Sequence, residues 1–349
     1  MIKQTYLLKL ASPAFLGGAD QRGAWRTPPI KALLREWWRI AMAHRLGYDH
    51  RQIKNHETRL FGTAADEAGG ENHRSQIRLS LAHWHEGTMH SHEPLPMIYH
   101  PEAERAKNKV EPLNYLGYGP IDRGKLKFGA ALQSKESNIL RIALPNSESE
   151  SPNLQCALTL AHWFGTVGGR SRNGWGSIVW APEEGTPTLA PLSASALEAS
   201  GCTRALEQSL EVDWPHAIGS DGAGVLVWRS RETFRDWHEA MTFLARTKIA
   251  FRTHLEFNGG QPHPAAQPRH ALAYPVTNHK VSAWEGSGKG RLANTLRFKL
   301  HIEAEGRLRA LIYHTPCKPT LPHADLDLLN TWQRVHRFLD AQPTLARLA

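Results

Sequence analysis

Cysteine is scarce in this chain, acid is outnumbered by base, and no long apolar run occurs. Three cysteines in 349 residues, Cys156, Cys202 and Cys317, are odd in number and far apart. They supply neither a disulfide framework nor a zinc knuckle, and they suit a reducing cytoplasm. There is no run of 18 apolar residues, and Met1-Ile2-Lys3-Gln4 has no signal-peptide core, so the expectation is a cytoplasmic protein with no membrane partner. Asp and Glu number 33 against 42 Lys and Arg, a formal charge of +9. That balance favours a polyanionic partner. Hydrophobic residues make up 41% and charged residues 21%, which is globular rather than disordered.

Glycine, arginine and tryptophan are concentrated in one stretch, 168–177: Gly168-Gly169-Arg170-Ser171-Arg172-Asn173-Gly174-Trp175-Gly176-Ser177. No Gly-Lys-Ser/Thr follows, so it is not a P-loop. The spacing also fails the dinucleotide fingerprint. Glycines shape a loop and let another backbone approach. The exposed amides would make an anion nest, and Arg170 and Arg172 suit phosphate oxygens. Trp175 either stacks on a base or turns inward as the next strand starts. The glycines on both sides and the strand alternation favour the inward position. An ordinary basic turn would look similar by itself. Ser287-Gly288-Lys289-Gly290-Arg291 is a smaller basic glycine loop and a second candidate contact through Lys289 and Arg291.

The pattern predicts strands over 5–10, 76–82, 125–133, 139–144 and 177–180, with helices from Thr27 and over 152–164. That order is a βαββαβ, ferredoxin-like arrangement with insertions, whose open sheet face is a platform for RNA. The polar, histidine-rich segment 83–109 reads as an excursion from the core, and the stretch 181–195 as a domain junction. Strands over 225–228, 270–276, 294–303 and 307–314, with helices over 233–252 and 325–339, repeat the theme. The fold class expected is therefore α+β, with ferredoxin-like domains over 1–190 and 191–349.

The first helix has clear signals: Thr27 as N-cap, Pro28 at the first position and Gly47 past the end. Ile30, Leu33, Leu34, Trp37 and Ala41 form its apolar face. Lys31, Arg35 and Arg39 form a basic row with Trp38 among them. An exposed tryptophan beside arginines is unusual without a partner, so this row is a candidate RNA contact.

With these residues in view, the chain resembles the RAMP superfamily of CRISPR proteins. Within it the likeness is to the first-subunit family of type III-B (Cmr) effector complexes. The resemblance rests on Ser-Pro-Ala-Phe-Leu-Gly-Gly-Ala-Asp at 12–20, and on Pro-Pro-x-Lys-x-x-Leu-Arg-x-Trp-Trp-Arg at 28–39. Leu60-Phe61-Gly62, Arg78 and the glycine loop add to it. It implies a tandem RNA-binding protein near the end of a ribonucleoprotein filament that carries the 3′ part of the guide RNA. The implied partners are guide RNA, target RNA and sibling RAMP subunits. The motif positions Lys31, Arg35, Arg39, Gly168, Gly169, Arg170 and Arg172 would carry the RNA, with Asn173 beside them. The histidine-rich segment departs from the family pattern.

No catalytic residues emerge. Asp20, Asp66 and Asp122 sit in loops without a distinguishing pattern, and Asp20 suits a turn. His83, His85, His90 and His92, with Glu86 and Glu93, have zinc-like spacing, but no cysteine supports a closed site, which favours solvated histidines. The expectation is a non-catalytic RNA-binding subunit without cofactor. The alternative is a metal-independent endoribonuclease that processes guide RNA, working through a histidine base.

Overall fold

The computed structural model describes every residue except 19, 64–72, 123–124, 128, 147–150, 286–289, 323–325 and 349. Strand β1 (Ile2–Leu10) lies at the centre of the first half, and its Tyr6, Leu8 and Leu10 alternate into the core. Helix α1 (Thr27–Ala43) follows, then α2 (His50–Phe61), β2 (Arg78–Leu81), β3 (Ser137–Leu144), α3 (Ser151–Phe164) and β4 (Ile178–Pro182). The sheet is antiparallel throughout, in the order β2-β3-β1-β4. Helix α1 packs on α3 over this sheet. The cap position of α1 belongs to Arg26 rather than Thr27, in extended backbone without a side-chain cap, so Thr27 is the first helical residue and Pro28 the second, one place later than expected and still in the first turn, where no helical bond needs its amide.

The second half contains β5 (Val227–Ser230), α4 (Trp237–Thr253), β6 (Leu296–Ile302), β7 (Leu308–His314), α5 (Leu328–Asp340) and β8 (Leu345–Arg347). Its four strands are also antiparallel, ordered β6-β7-β5-β8. With α2 set aside as an additional helix after α1, both halves run strand, helix, strand, strand, helix, strand. In both, the first strand sits between the third and the fourth. The protein is thus a mixed helix-and-sheet fold built on antiparallel sheets.

Three expected elements differ. The stretch 270–276 is not a strand: Pro268–Leu272 is a 3-10 turn, started by Pro268 and closed by a reciprocal Gln267–His270 capping box. In the expected strand 125–133, regular pairing among the described residues is confined to Lys125–Leu126, and Ala131 and Leu132 make only isolated bridges. The segment 83–109 is not outside the core: Met89 and Ile98 are buried in the second apolar cluster. Polar composition concealed these two anchors.

The halves share their interiors. Val225, Val227 and Tyr313 belong to the first cluster, while Leu113, Leu116 and Trp175 belong to the second. Lys299 of β6 is fully buried, and its ammonium donates to the carbonyls of His162 and Ile178 at 2.5 and 2.8 Å. The Cys156 and Cys202 thiols meet at 3.6 Å, a contact their separation in sequence hides.

Candidate nucleic-acid interface

The glycine loop is bolted between the two halves. Ser12 Oγ donates to the Gly174 carbonyl at 2.6 Å and accepts from the Ser177 amide at 3.0 Å. Ser177 Oγ accepts from the Leu300 amide at 2.8 Å, and the Arg172 carbonyl accepts from the Phe298 amide at 3.1 Å. The expected anion nest is largely absent. The amides of Gly169, Asn173, Gly174, Gly176 and Ser177 all donate to protein acceptors, because a loop wedged between two sheets must satisfy its own backbone.

The close-approach role also shifts within the loop. Gly168 has φ +85, and a Cβ there would lie 2.5 Å from the Phe15 carbonyl oxygen. At Gly176, φ is +64 and the corresponding distance to the Val167 oxygen is 1.9 Å. At Gly169 the nearest atom would be 3.4 Å away, an ordinary contact. These glycines serve the approach of the protein's own backbone. Trp175 is fully buried against Phe15 and Trp237, with ring centroids 4.8 and 5.7 Å apart, so it is core and the loop does not lie outside both cores.

The two loop arginines face different surroundings. Arg170 is exposed and sits at φ +57, in the left-handed region. Burial and then the Arg291 charge lower its guanidinium from its ordinary value, and Tyr118 raises it. Arg172 is half-buried. Burial and then Arg297 lower it, while Glu36 of α1 raises it. The Arg297 guanidinium is itself hydrogen-bonded to Glu36. Among the described residues, no carboxylate bonds to Arg170, Arg172 or Arg291.

Two further cations were missed. Lys248 donates to Asn173 Oδ1 at 2.8 Å and lies 5.5 Å from the centre of the Tyr115 ring. Asn173 Nδ2 in turn donates to the Leu116 carbonyl at 2.8 Å. Burial, then Arg252 and Arg170, push the Lys248 ammonium down to about 7. The guanidinium of Arg252, one turn on, has no hydrogen-bond partner among the described residues, and burial lowers it as well. The available signal was helical spacing: Met241, Leu244 and Lys248 share one stripe of α4, so a lysine continues an apolar face.

The basic row on α1 is arranged differently. Lys31 Nζ donates to the Phe61 carbonyl at 2.8 Å. Arg35 Nε and Arg39 Nη2 both donate to Glu57 Oε1, at 2.6 and 2.7 Å. Glu57 is 3% exposed. Burial pushes its carboxyl up, but the hydrogen bonds and charges of Arg39 and Arg35 outweigh that and hold it below the usual range. Both guanidiniums keep a solvent-facing edge on a cleft of about 300 Å³ that also contains His50 and Trp214. Trp38 is not exposed in this row. It is fully buried against Phe61 at 5.7 Å, because α2 covers that side of α1.

Of the remaining candidates, Lys289 and Asp66 lie outside the described residues. Asp20 Oδ1 accepts from the Arg22 amide at 3.1 Å, a turn bond. His83 and His85 stack at 4.5 Å, His90 bonds the Gly129 carbonyl and His92 that of Glu93. Among the described residues no three His, Cys, Asp or Glu side chains converge as a metal site, and no helix is long and apolar enough to cross a membrane.

The fold and the loop at its centre define a class: the chain belongs to the RAMP superfamily, whose family model matches residues 7–179. Its fold is similar to that of Cmr1 from Pyrococcus furiosus in its apo form, at 14% identity and TM-score 0.52, covering 99% of this chain and 98% of that one. It is also similar to a chain of the type III-B Cmr-beta complex bound to cognate target RNA, at 14% identity and TM-score 0.51, covering 89% and 94%. A second structure of that complex, with target RNA, AMPPnP and single-stranded DNA present, matches at 13% identity and TM-score 0.50, covering 97% and 98%. No curated protein matches the chain.

Proposed function

We propose that this chain is a non-catalytic, cytoplasmic RNA-binding subunit of a type III-B (Cmr) CRISPR interference complex, serving antiviral defence. It is composed of two tandem ferredoxin-like halves, 1–190 and 191–349. It holds guide and target RNA near the 3′ end of the guide and docks sibling RAMP subunits. One observation carries this reading: Arg170, Lys248, Arg252 and Arg291 gather around the glycine loop without a bonded carboxylate among the described residues. Cations left uncompensated at a surface suit a phosphate backbone. The likeness to a chain of an RNA-bound Cmr complex supports the choice of partner. The test has two arms. Co-expression with sibling subunits should recover the chain with processed guide RNA. Incubation of the pure protein with repeat-containing RNA, in EDTA and in magnesium, should give binding without cleavage. Discrete products that vanish when one histidine is replaced would establish the endoribonuclease instead.

A further inference from the structure

We propose that Arg170, Lys248 and Arg252 form a seat for one phosphate of a single-stranded RNA backbone, and that the adjoining base stacks on Tyr118. The proposal rests on the RNA-binding reading and deepens it by naming the form of the RNA and the groups that hold it.

The seat joins the two halves. Lys248 and Arg252 lie one turn apart on α4 and share a face, and Arg170 reaches them from the glycine loop. The groups facing Lys248 are Arg252 from its own helix, Arg170 and Asn173 from the loop, and Tyr115 from the short helix Pro112–Gly117. None is a carboxylate. Beyond Arg252 lie Arg269 and His100, and the carboxylate there, Glu102, is taken up by both terminal nitrogens of Arg269. Three like charges held together with only an amide and a ring beside them repel one another, and a bound phosphate relieves that repulsion.

The loop is shaped to present Arg170. The left-handed region is strained for an L-residue, and the chain tolerates that strain here for an arginine. Gly119 has φ +114, and a Cβ there would lie 3.1 Å from Arg170 Nη2, so its missing side chain makes room for the guanidinium. The neighbouring Tyr118 is 69% exposed, one of the few large apolar side chains left in solvent. A free aromatic face next to a phosphate cation suits an unpaired base, whereas the bases of a duplex are already stacked. A phosphodiester remains anionic at every physiological pH. Lys248 must therefore be protonated in the complex, and binding at or above pH 7 takes up a proton.

The test uses the full chain and a labelled octauridylate, with an RNA duplex of equal length as comparison. Single strands should bind more tightly than duplex, and their affinity should weaken from pH 6.5 to 8.5. Lys248→Arg should remove that pH dependence, and Lys248→Met should weaken binding at least tenfold by removing a charge-assisted hydrogen bond. Tyr118→Leu should weaken it by about 5- to 150-fold with an unchanged salt slope, while Tyr118→Phe should bind as wild type. Each variant's melting temperature confirms that it is folded. If the wild type binds the octamer and all folded variants match it, the seat is wrong and the RNA-binding reading stands. Equal affinity for duplex overturns the single-strand assignment. Failure of the wild type to bind any RNA at low salt overturns both.

Discussion

Lys248 Nζ donates a hydrogen bond to Asn173 Oδ1 at 2.8 Å, and that bond ties helix α4 of the second half to the glycine loop of the first. The amide accepts the ammonium without neutralising it. Asn173→Asp replaces that neutral acceptor with an anion. Lys248 would then be protonated but occupied, and RNA affinity should fall about tenfold or more as the new carboxylate competes with phosphate.

The same pair sets a pH dependence of stability. The folded-state value for Lys248 is about 7, below the ordinary 10.5, so between these limits the unfolded chain binds more protons. The Lys248 contribution to stability therefore rises with pH through that window. Asn173→Asp should remove most of the rise. Urea midpoints for both proteins at pH 7.5 and 9 provide the check, and parallel shifts in the two would contradict it.

The glycines of the loop should sort by backbone rather than by RNA. Gly176→Ala and Gly168→Ala introduce a Cβ against a carbonyl at positive φ, and each should cost about 2–4 kcal/mol from strain and overpacking together. Gly169→Ala meets only ordinary contacts and should melt within about 0.5 kcal/mol of wild type. Equal melting temperatures for all three would refute this division.

Trp175→Ala should lower stability by about 3–5 kcal/mol through a cavity between Phe15 and Trp237. RNA affinity per folded molecule should hold. A selective loss of affinity at unchanged stability would return Trp175 to the RNA surface.

Sequence periodicity revealed most of the secondary structure. Alternation in 5–10 and the proline start of α1 led directly to observed elements. The inward turn of Trp175 was legible from its flanking glycines. What stayed hidden depends on contacts distant in the chain. Trp38 looked exposed because a helical wheel cannot show that α2 covers that side of α1. Glu57, which binds Arg35 and Arg39, lies about twenty positions away from them. Lys248 meets the loop through Asn173, 75 positions away in the chain, a contact that helical spacing does not reveal. Amides that looked free for an anion are occupied by partners as remote as Phe15 and Pro13.

Glu57 yields a separate prediction. Arg35→Ala combined with Arg39→Ala strands a buried carboxylate, and stability should fall by about 3–5 kcal/mol. Adding Glu57→Gln should restore much of it. Because Glu57 is held below its ordinary 4.5, its contribution is present above that pH and is lost as pH falls through the folded value. Wild type should therefore lose this increment in acid, and the rescued triple variant should not. RNA affinity measured in the triple variant then isolates any phosphate contact made by this face, since folding is no longer at issue.

The most direct measurement is a salt titration of single-strand RNA binding by the full chain and by a variant combining Arg170→Ala, Lys248→Met and Arg252→Ala, with melting curves alongside. RNA should bind with log K falling linearly against log salt, and the variant's slope should be shallower by about 0.7 for each phosphate it no longer neutralises. A folded variant with the wild-type slope and affinity would contradict RNA binding at the glycine loop.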